Sequence, residues 1–330
     1  MDLFSSRTFL NNDQEAQLYA RTQSEYCDIY QNELRKTYWN SPIVSVDLGI
    51  FTLHKGKLKV LLVERTEHPW RAMWSLPGGF VQTEQDCSLM ATAQRVLHKK
   101  TGVKSPYLRQ WQAIGSEGRD ARFWSVTVMF YALIRYVDVN EREGVRWFEV
   151  DGEHDIPTLV VKGDLPTITR VMPAPDNDRN LKADLAFDHL VLLRQLVSFL
   201  RKEVAYGILP AFMLPMSTGR QIYPEDADYF TLADLLRAYE IMMGTELKVT
   251  SIRRRFGVYG NSLKGESGVE MRQQQILQTL SMDELEGFVR MGTGKIPAYY
   301  RLERDIVEGR REVRFDSPLV GLGDSNYDEL

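Results

Sequence analysis

The chain has 330 residues, of which 43% are hydrophobic and 26% charged, and carries a formal net charge of −4. That length favours two domains, and the acidic balance means that any DNA-binding face must be a local patch. The two cysteines, Cys27 and Cys87, lack a Cys-x-x-Cys spacing, which argues against a zinc site or a disulfide framework. No basic-then-apolar leader and no apolar run long enough to cross a bilayer is present. A soluble, cytoplasmic protein without a membrane partner is the expectation.

Residues 1–40 are polar and rich in Gln, Asn and Tyr. Leu18, Tyr19, Tyr26, Ile29, Tyr30 and Leu34 would give them a loose helical face, the pattern of a packing arm or dimer strap. Residues 41–206 then read as one mixed α/β domain. Ser45 to Arg65 holds two apolar runs around a His-Lys-Gly-Lys turn, the signature of a β-hairpin. Pro77 to Val103 combines a Gly-Gly turn, a polar loop, a helix and a Thr-Gly stop. Further strands follow in Gly115–Tyr136 and Val145–Val150. Residues 151–184 contain Pro157, Pro166, Pro173 and Pro175 and read as an insertion. Leu185 to Val204 regains helical periodicity and should pack back on this domain.

Residues 207–315 change character. After a Pro- and Gly-marked connector, Phe230 to Gly244 has the marks of a capped helix. Thr231 and Asp234 form a capping-box-like pair, Leu232, Leu235, Leu236, Tyr239, Met242 and Met243 make an apolar stripe, and Gly244 ends it. Thr250 to Lys264 has four basic residues and no acid. Ile252 and Phe256 would anchor a short second helix while Arg253, Arg254 and Arg255 fan outward. Two short helices with the second basic describe a helix-turn-helix. Gly292 to Arg304 reads as a hairpin wing with Lys295 at its tip. Candidate DNA contacts are Thr250, Arg253, Arg254, Arg255, Lys295 and Tyr299; the alternative is a solvated basic helix. Residues 316–330 form an acidic tail expected to fray.

The segment from Glu64 to Val103 resembles the Nudix family. The Arg of that family's box matches Arg95, and its Gly-apolar ending matches Gly102 and Val103. The three helix glutamates that would bind magnesium are replaced by Val96, Lys99 and Lys100, and the loop is two residues longer, which aligns Cys87 with the upstream glutamate. Magnesium requires hard oxygen ligands. Two ammonium groups in place of carboxylates turn attraction into repulsion, each worth roughly 1–4 kcal/mol near 4 Å. Hydrolysis through this box is therefore not expected, and neither a catalytic residue nor a metal or cofactor is assigned. Lys99 and Lys100 could instead meet a pyrophosphate directly, or simply complement the helix dipole.

The other candidate ligand residues are Arg65, Trp74, Gly78, Gly79, Phe80, Arg119 and Arg122. Guanidinium groups recognise phosphates bidentately, and Trp70, Trp74 or Trp124 could stack an adenine, with core packing as the alternative for each. A degenerate Nudix box followed by a winged helix-turn-helix resembles the Nudix-related transcriptional regulators of the NrtR type. Tyr107–Arg122, Leu185–His189, Ile252–Phe256 and Pro297–Leu302 supply further matching pieces. The resemblance implies an α+β chain, with a Nudix-fold α/β/α sandwich followed by a winged helix-turn-helix. It implies a homodimer that represses genes of NAD metabolism by binding double-stranded operator DNA and that responds to ADP-ribose or a related metabolite. Two alternatives stand beside it. One is a Nudix hydrolase holding metal through Glu84 and Asp86, and the other is a protein-interaction scaffold.

Overall fold

The structure, a computed structural model, describes Glu25 and residues 42–67, 69–102, 107–120, 123–150, 185–216, 221–224, 227–259, 262–263, 275–285, 289–290 and 297–321. The expected arm at 1–40, apart from Glu25, and the insertion at 151–184 lie outside these residues. The chain divides into two compact units, Met1–Val44 with Gly115–Val126, and Ser45–Ile114 with Thr127–Leu330. The larger unit holds most of the main sheet, and Ile43–Val44, Gly115–Asp120 and Phe123–Val126, at the ends of three of its strands, belong to the smaller unit.

The main sheet has the order β3-β2-β1-β6-β5, formed by β1 (Ile43–His54), β2 (Lys57–Glu64), β3 (Trp74–Ser75), β5 (Tyr107–Asp120) and β6 (Phe123–Leu133). β4 (Gly78–Phe80) also pairs with β1, and β7 (Val145–Glu149) with β2. The β1–β2 hairpin turns through Lys55 and Gly56, both at positive φ (50° and 74°). Two left-handed residues suit the twist of a tight hairpin, and Gly56 adopts that conformation at no steric cost.

Side chains alternate across a strand, so β1 serves two cores. Val46, Leu48 and Ile50 face the core that holds Ala93, Val96 and Leu97 of helix α1 (Leu89–Thr101). Phe51 and Leu53 face the core that holds Leu192, Leu193, Leu196, Val197 and Leu200 of helix α2 (His189–Tyr206). The result is a sheet with a helix on each face.

The second core continues beyond α2. It takes in Leu235, Ala238, Tyr239 and Met242 of α3 (Leu232–Met243) and Ile252 of α4 (Val249–Arg255). α3 begins where the sequence pattern places it: Thr231 Oγ1 accepts the Asp234 N–H while the Asp234 carboxylate accepts the Thr231 N–H, and Gly244 closes the helix in the left-handed conformation. β8 (Gln221–Ile222), β9 (Phe230–Thr231), β10 (Val258–Tyr259), β11 (Ser262–Leu263), β12 (Leu277–Thr279), β13 (Val289–Arg290), β14 (Tyr299–Leu302), the short α5 (Arg304–Val307) and two 3₁₀ helices at Leu209–Met213 and Met282–Glu284 complete the described elements.

The wing differs from the expected hairpin. β14 pairs with β12, not with a strand inside Gly292–Arg304, and its other edge pairs with β9. β13 pairs with β8. The wing strands β12 and β14 are therefore separated in sequence by residues 280–298, and no Asn-Gly or Asp-Gly pair marks that connection. Lys295 lies outside the described residues.

Candidate functional site

β4 lies beside β1 with Gly78 opposite Asp47. A Cβ at Gly78 would fall 2.0 Å from Asp47 Oδ1, so only glycine fits. Asp47 is buried. Thr127 Oγ1 donates to its Oδ2 at 2.7 Å, and His189 Nε2 lies 3.7 Å from the same oxygen. The backbone N–H of Leu76 donates to His189 Nδ1 at 3.0 Å. Accepting that bond requires Nδ1 to be unprotonated, so the neutral ring carries its proton on Nε2, facing Asp47. These residues, buried beneath the Gly-Gly strand, were not candidates from sequence, although His189 ends the Leu185–His189 motif.

The loop after β4 is closed by Asp86. Arg95 Nε and Nη2 reach its two carboxylate oxygens at 2.8 and 2.6 Å, and Arg95 Nη2 also donates to the Phe80 carbonyl at 3.1 Å. Thr92 Oγ1 and the Gln82 N–H donate to Asp86 Oδ2 at 2.9 Å each. Chiefly through the bonds from Arg95, against an opposing effect of partial desolvation, the Asp86 carboxyl is held well below the usual carboxylate range. Cys87, which alignment placed at the upstream acid position, is exposed and takes no part in this pairing. The acid one residue earlier fills the role.

On α1 the changed box positions share one helical stripe, because residues three and four apart are neighbours. Val96 is buried, and a Cβ at Gly79 would sit 3.4 Å from its Cγ2. Lys99 is exposed and Lys100 half-buried. Burial and, second, the charge of Lys99 lower the Lys100 pKa. The frame does not fit a divalent cation. The stripe offers a methyl and two ammonium groups, and Asp86 is committed to Arg95, Thr92 and Gln82. Among the described residues no group of three or more His, Cys, Asp or Glu could hold a metal ion.

The remaining ligand candidates are dispersed. Arg65 Nε donates to Pro69 O at 2.8 Å, and its guanidinium lies 4.7 Å from the Phe187 ring centroid. Phe80 is exposed. Trp74 packs edge-on against Phe148 at 4.8 Å, so its indole joins the sheet core and is not presented for stacking. Trp70 is the exposed tryptophan of this loop. Arg119 belongs to the smaller unit, on β5, where it is half-buried. Arg122 lies outside the described residues.

The candidate DNA contacts on α4 separate by burial. Thr250 and Arg254, one turn apart, are exposed, and so is Lys248 at the helix start. Arg253 is half-buried beside Tyr300, whose pKa is raised by burial and eased by the Arg253 charge. Arg255 turns inward, contrary to the outward fan expected. Its Nη1 donates to Ala205 O at 2.6 Å and its Nη2 to Ser317 O at 2.8 Å, and the guanidinium stacks 4.4 Å over Phe315. Tyr299 is buried against Tyr229 and Leu285, which removes its side chain from any DNA surface.

A Nudix-type sandwich sharing one core with a helix-turn-helix and a wing has the build of a Nudix-related regulator. Residues 45–166 match the NUDIX domain family. The chain is 35% identical over 227 residues to the ADPR responsive transcriptional repressor NtrR of Acinetobacter baylyi, covering 68% of this chain and 75% of that protein. It is similar to the crystal structure of Shewanella oneidensis NrtR complexed with a 27mer DNA, with TM-score 0.59, 30% identity, and coverage of 84% and 99% of the two chains. A second crystal structure of Shewanella oneidensis NrtR gives TM-score 0.56 and 29% identity over 84% of this chain and 100% of that one. The chain belongs to the NrtR-type Nudix-related transcriptional regulators.

Proposed function

We propose that this protein is a homodimeric transcriptional repressor whose Nudix domain senses ADP-ribose, or a closely related nucleotide, without cleaving it. The observation that carries this reading is the altered stripe on α1. Val96 is buried beneath Gly79, and Lys99 and Lys100 follow it, while the Asp86–Arg95 closure of the loop is kept. A pyrophosphate is the natural counter-ion for such a frame. Lys100 is half desolvated beside a second ammonium, and an anion placed there relieves both penalties. Exposed Phe80 and Trp70 are the aromatic surfaces offered to a base in this region.

DNA contact belongs to the exposed face of α4. Thr250, Arg254 and Lys248 can reach phosphates and base edges, with the β12–β14 wing beside them on the backbone. The regulated genes would be those of NAD metabolism, as the resemblance implies. Fluorescence anisotropy on duplex DNA from the chain's own upstream region, with and without ADP-ribose, tests the reading. Affinity should fall steeply with salt, since each neutralised phosphate releases counterions. Magnesium-dependent cleavage of ADP-ribose, abolished by Glu84→Gln, would instead support the hydrolase alternative.

A further inference from the structure

Helix α2 joins the two functional regions at its two ends. It has 18 residues, a rod of about 27 Å at about 1.5 Å per residue. At its first residue, buried His189 accepts the N–H of Leu76, two residues before Gly78, and faces Asp47, the partner of Gly78 in the sheet. The ring is thus fastened to the segment that leads into the effector strand.

At its last turn the helix has carbonyls with no intrahelical donor, a consequence of helix geometry. The C-terminal half of the chain supplies the donors. Ala205 O accepts from Arg255 Nη1 at 2.6 Å and from the Leu319 N–H at 2.8 Å. Tyr206 O accepts from the Phe315 N–H at 2.8 Å. Arg255 also binds Ser317 O, and Phe315 lies between that guanidinium and Phe256, 6.1 Å from the latter. Arg255 is the final residue of α4. One side chain therefore ties the DNA-facing helix, the end of α2 and the segment around Ser317 together. A displacement of α2 along its axis cannot occur without moving α4 or breaking these bonds.

We propose that α2 transmits the effector state to the DNA-binding surface and that Arg255 is a positioning residue, coupling α2 to α4, and makes no phosphate contact. This rests on the proposed control of DNA binding by ADP-ribose. Two arginines side by side in sequence thereby have separable tasks: Arg254 holds DNA and Arg255 holds the helix that holds DNA.

The test uses the full chain and operator-region DNA, with anisotropy titrations across a salt series, each with and without ADP-ribose. Arg254→Ala should reduce the salt slope by about one and leave the ratio of affinities with and without ADP-ribose unchanged. Arg255→Ala should leave the slope unchanged and bring that ratio, about 5- to 150-fold in allosteric proteins, close to one. Arg255→Lys should behave like Arg255→Ala, because one ammonium on a flexible stem does not reproduce a fork spanning two carbonyls.

An Arg255→Ala protein that loses a unit of slope and keeps the full ratio overturns the proposal. Should that variant fail to fold by circular dichroism, Phe315→Leu decides. It removes the platform under the guanidinium, and a full ADP-ribose ratio in the folded variant overturns the proposal equally. Wild-type protein that binds no DNA, or ignores ADP-ribose, contradicts the parent reading and removes the basis of this one.

Discussion

Arg95 grips Asp86 with two parallel contacts, Nε to Oδ1 at 2.8 Å and Nη2 to Oδ2 at 2.6 Å, and its Nη2 also holds the Phe80 carbonyl. This fork joins the first half of α1 to the loop that follows the Gly-Gly strand. With the Thr92 hydroxyl and the Gln82 N–H it closes that loop in a box whose helix glutamates are replaced.

Asp86→Asn should loosen that loop while leaving the fold intact, because both cores lie elsewhere. Asparagine keeps one acceptor oxygen and places an NH2 donor where the other carboxylate oxygen accepted, so at least one bond of the fork is lost and the other no longer has an anionic acceptor. Calorimetric titration with ADP-ribose should show affinity reduced by about tenfold. Unchanged affinity would mean that the fork has no part in ligand binding.

The same carboxylate sets a pH dependence. Its folded pKa is depressed below the ordinary 3.8, first by the bonds from Arg95. Its stabilising contribution is therefore fully present above that value and is lost as the pH falls below it. Urea unfolding of the wild type and of Asp86→Asn should differ by a constant amount from neutrality down to about pH 5, and the difference should shrink below about pH 4. A difference that already shrinks near pH 6 would contradict this assignment.

Charge reversal probes the lysine pair. Lys99→Glu with Lys100→Glu should abolish metal-free ADP-ribose binding, since each reversed charge near a phosphate acts with roughly 1–4 kcal/mol at about 4 Å. Each mutation alone should cost at least about tenfold in Kd. If the doubly changed protein binds ADP-ribose normally in EDTA, the pyrophosphate lies elsewhere.

Tyr239 tests the shared core. It is fully buried on α3, and its hydroxyl donates to Gly207 O, just beyond α2, at 2.6 Å. Tyr239→Phe leaves that carbonyl unsatisfied and should destabilise the chain by about 1–3 kcal/mol. Thermal unfolding should remain one cooperative transition, shifted downward.

Local features were legible in sequence, and long-range ones were not. The Lys55-Gly56 turn and the Thr231–Asp234 cap depend on adjacent residues, and both formed where the pattern placed them. Asp86 stood out only as a loop acid, and its pairing with Arg95 escaped because the longer loop shifts the register and puts Cys87 at the upstream acid position. The Asp47–Thr127–His189 group joins three distant segments, so no spacing reveals it. Arg255 was misdirected for a geometric reason. At 3.6 residues per turn, Arg254 lies opposite the buried anchors Ile252 and Phe256, whereas Arg253 and Arg255 border the buried face. Tyr299 and Tyr300 look alike in sequence as a paired aromatic wing strand, yet both faces of β14 are covered.

Whether one chain binds ADP-ribose intact and lets that binding govern DNA affinity is open to direct measurement. Anisotropy on labelled operator-region DNA is titrated with ADP-ribose in magnesium buffer, and the nucleotide is recovered and quantified from the same samples. The predicted result is a saturable change in DNA affinity with all ADP-ribose recovered uncleaved. Conversion to AMP and ribose phosphate, with DNA affinity indifferent to the nucleotide, would contradict it.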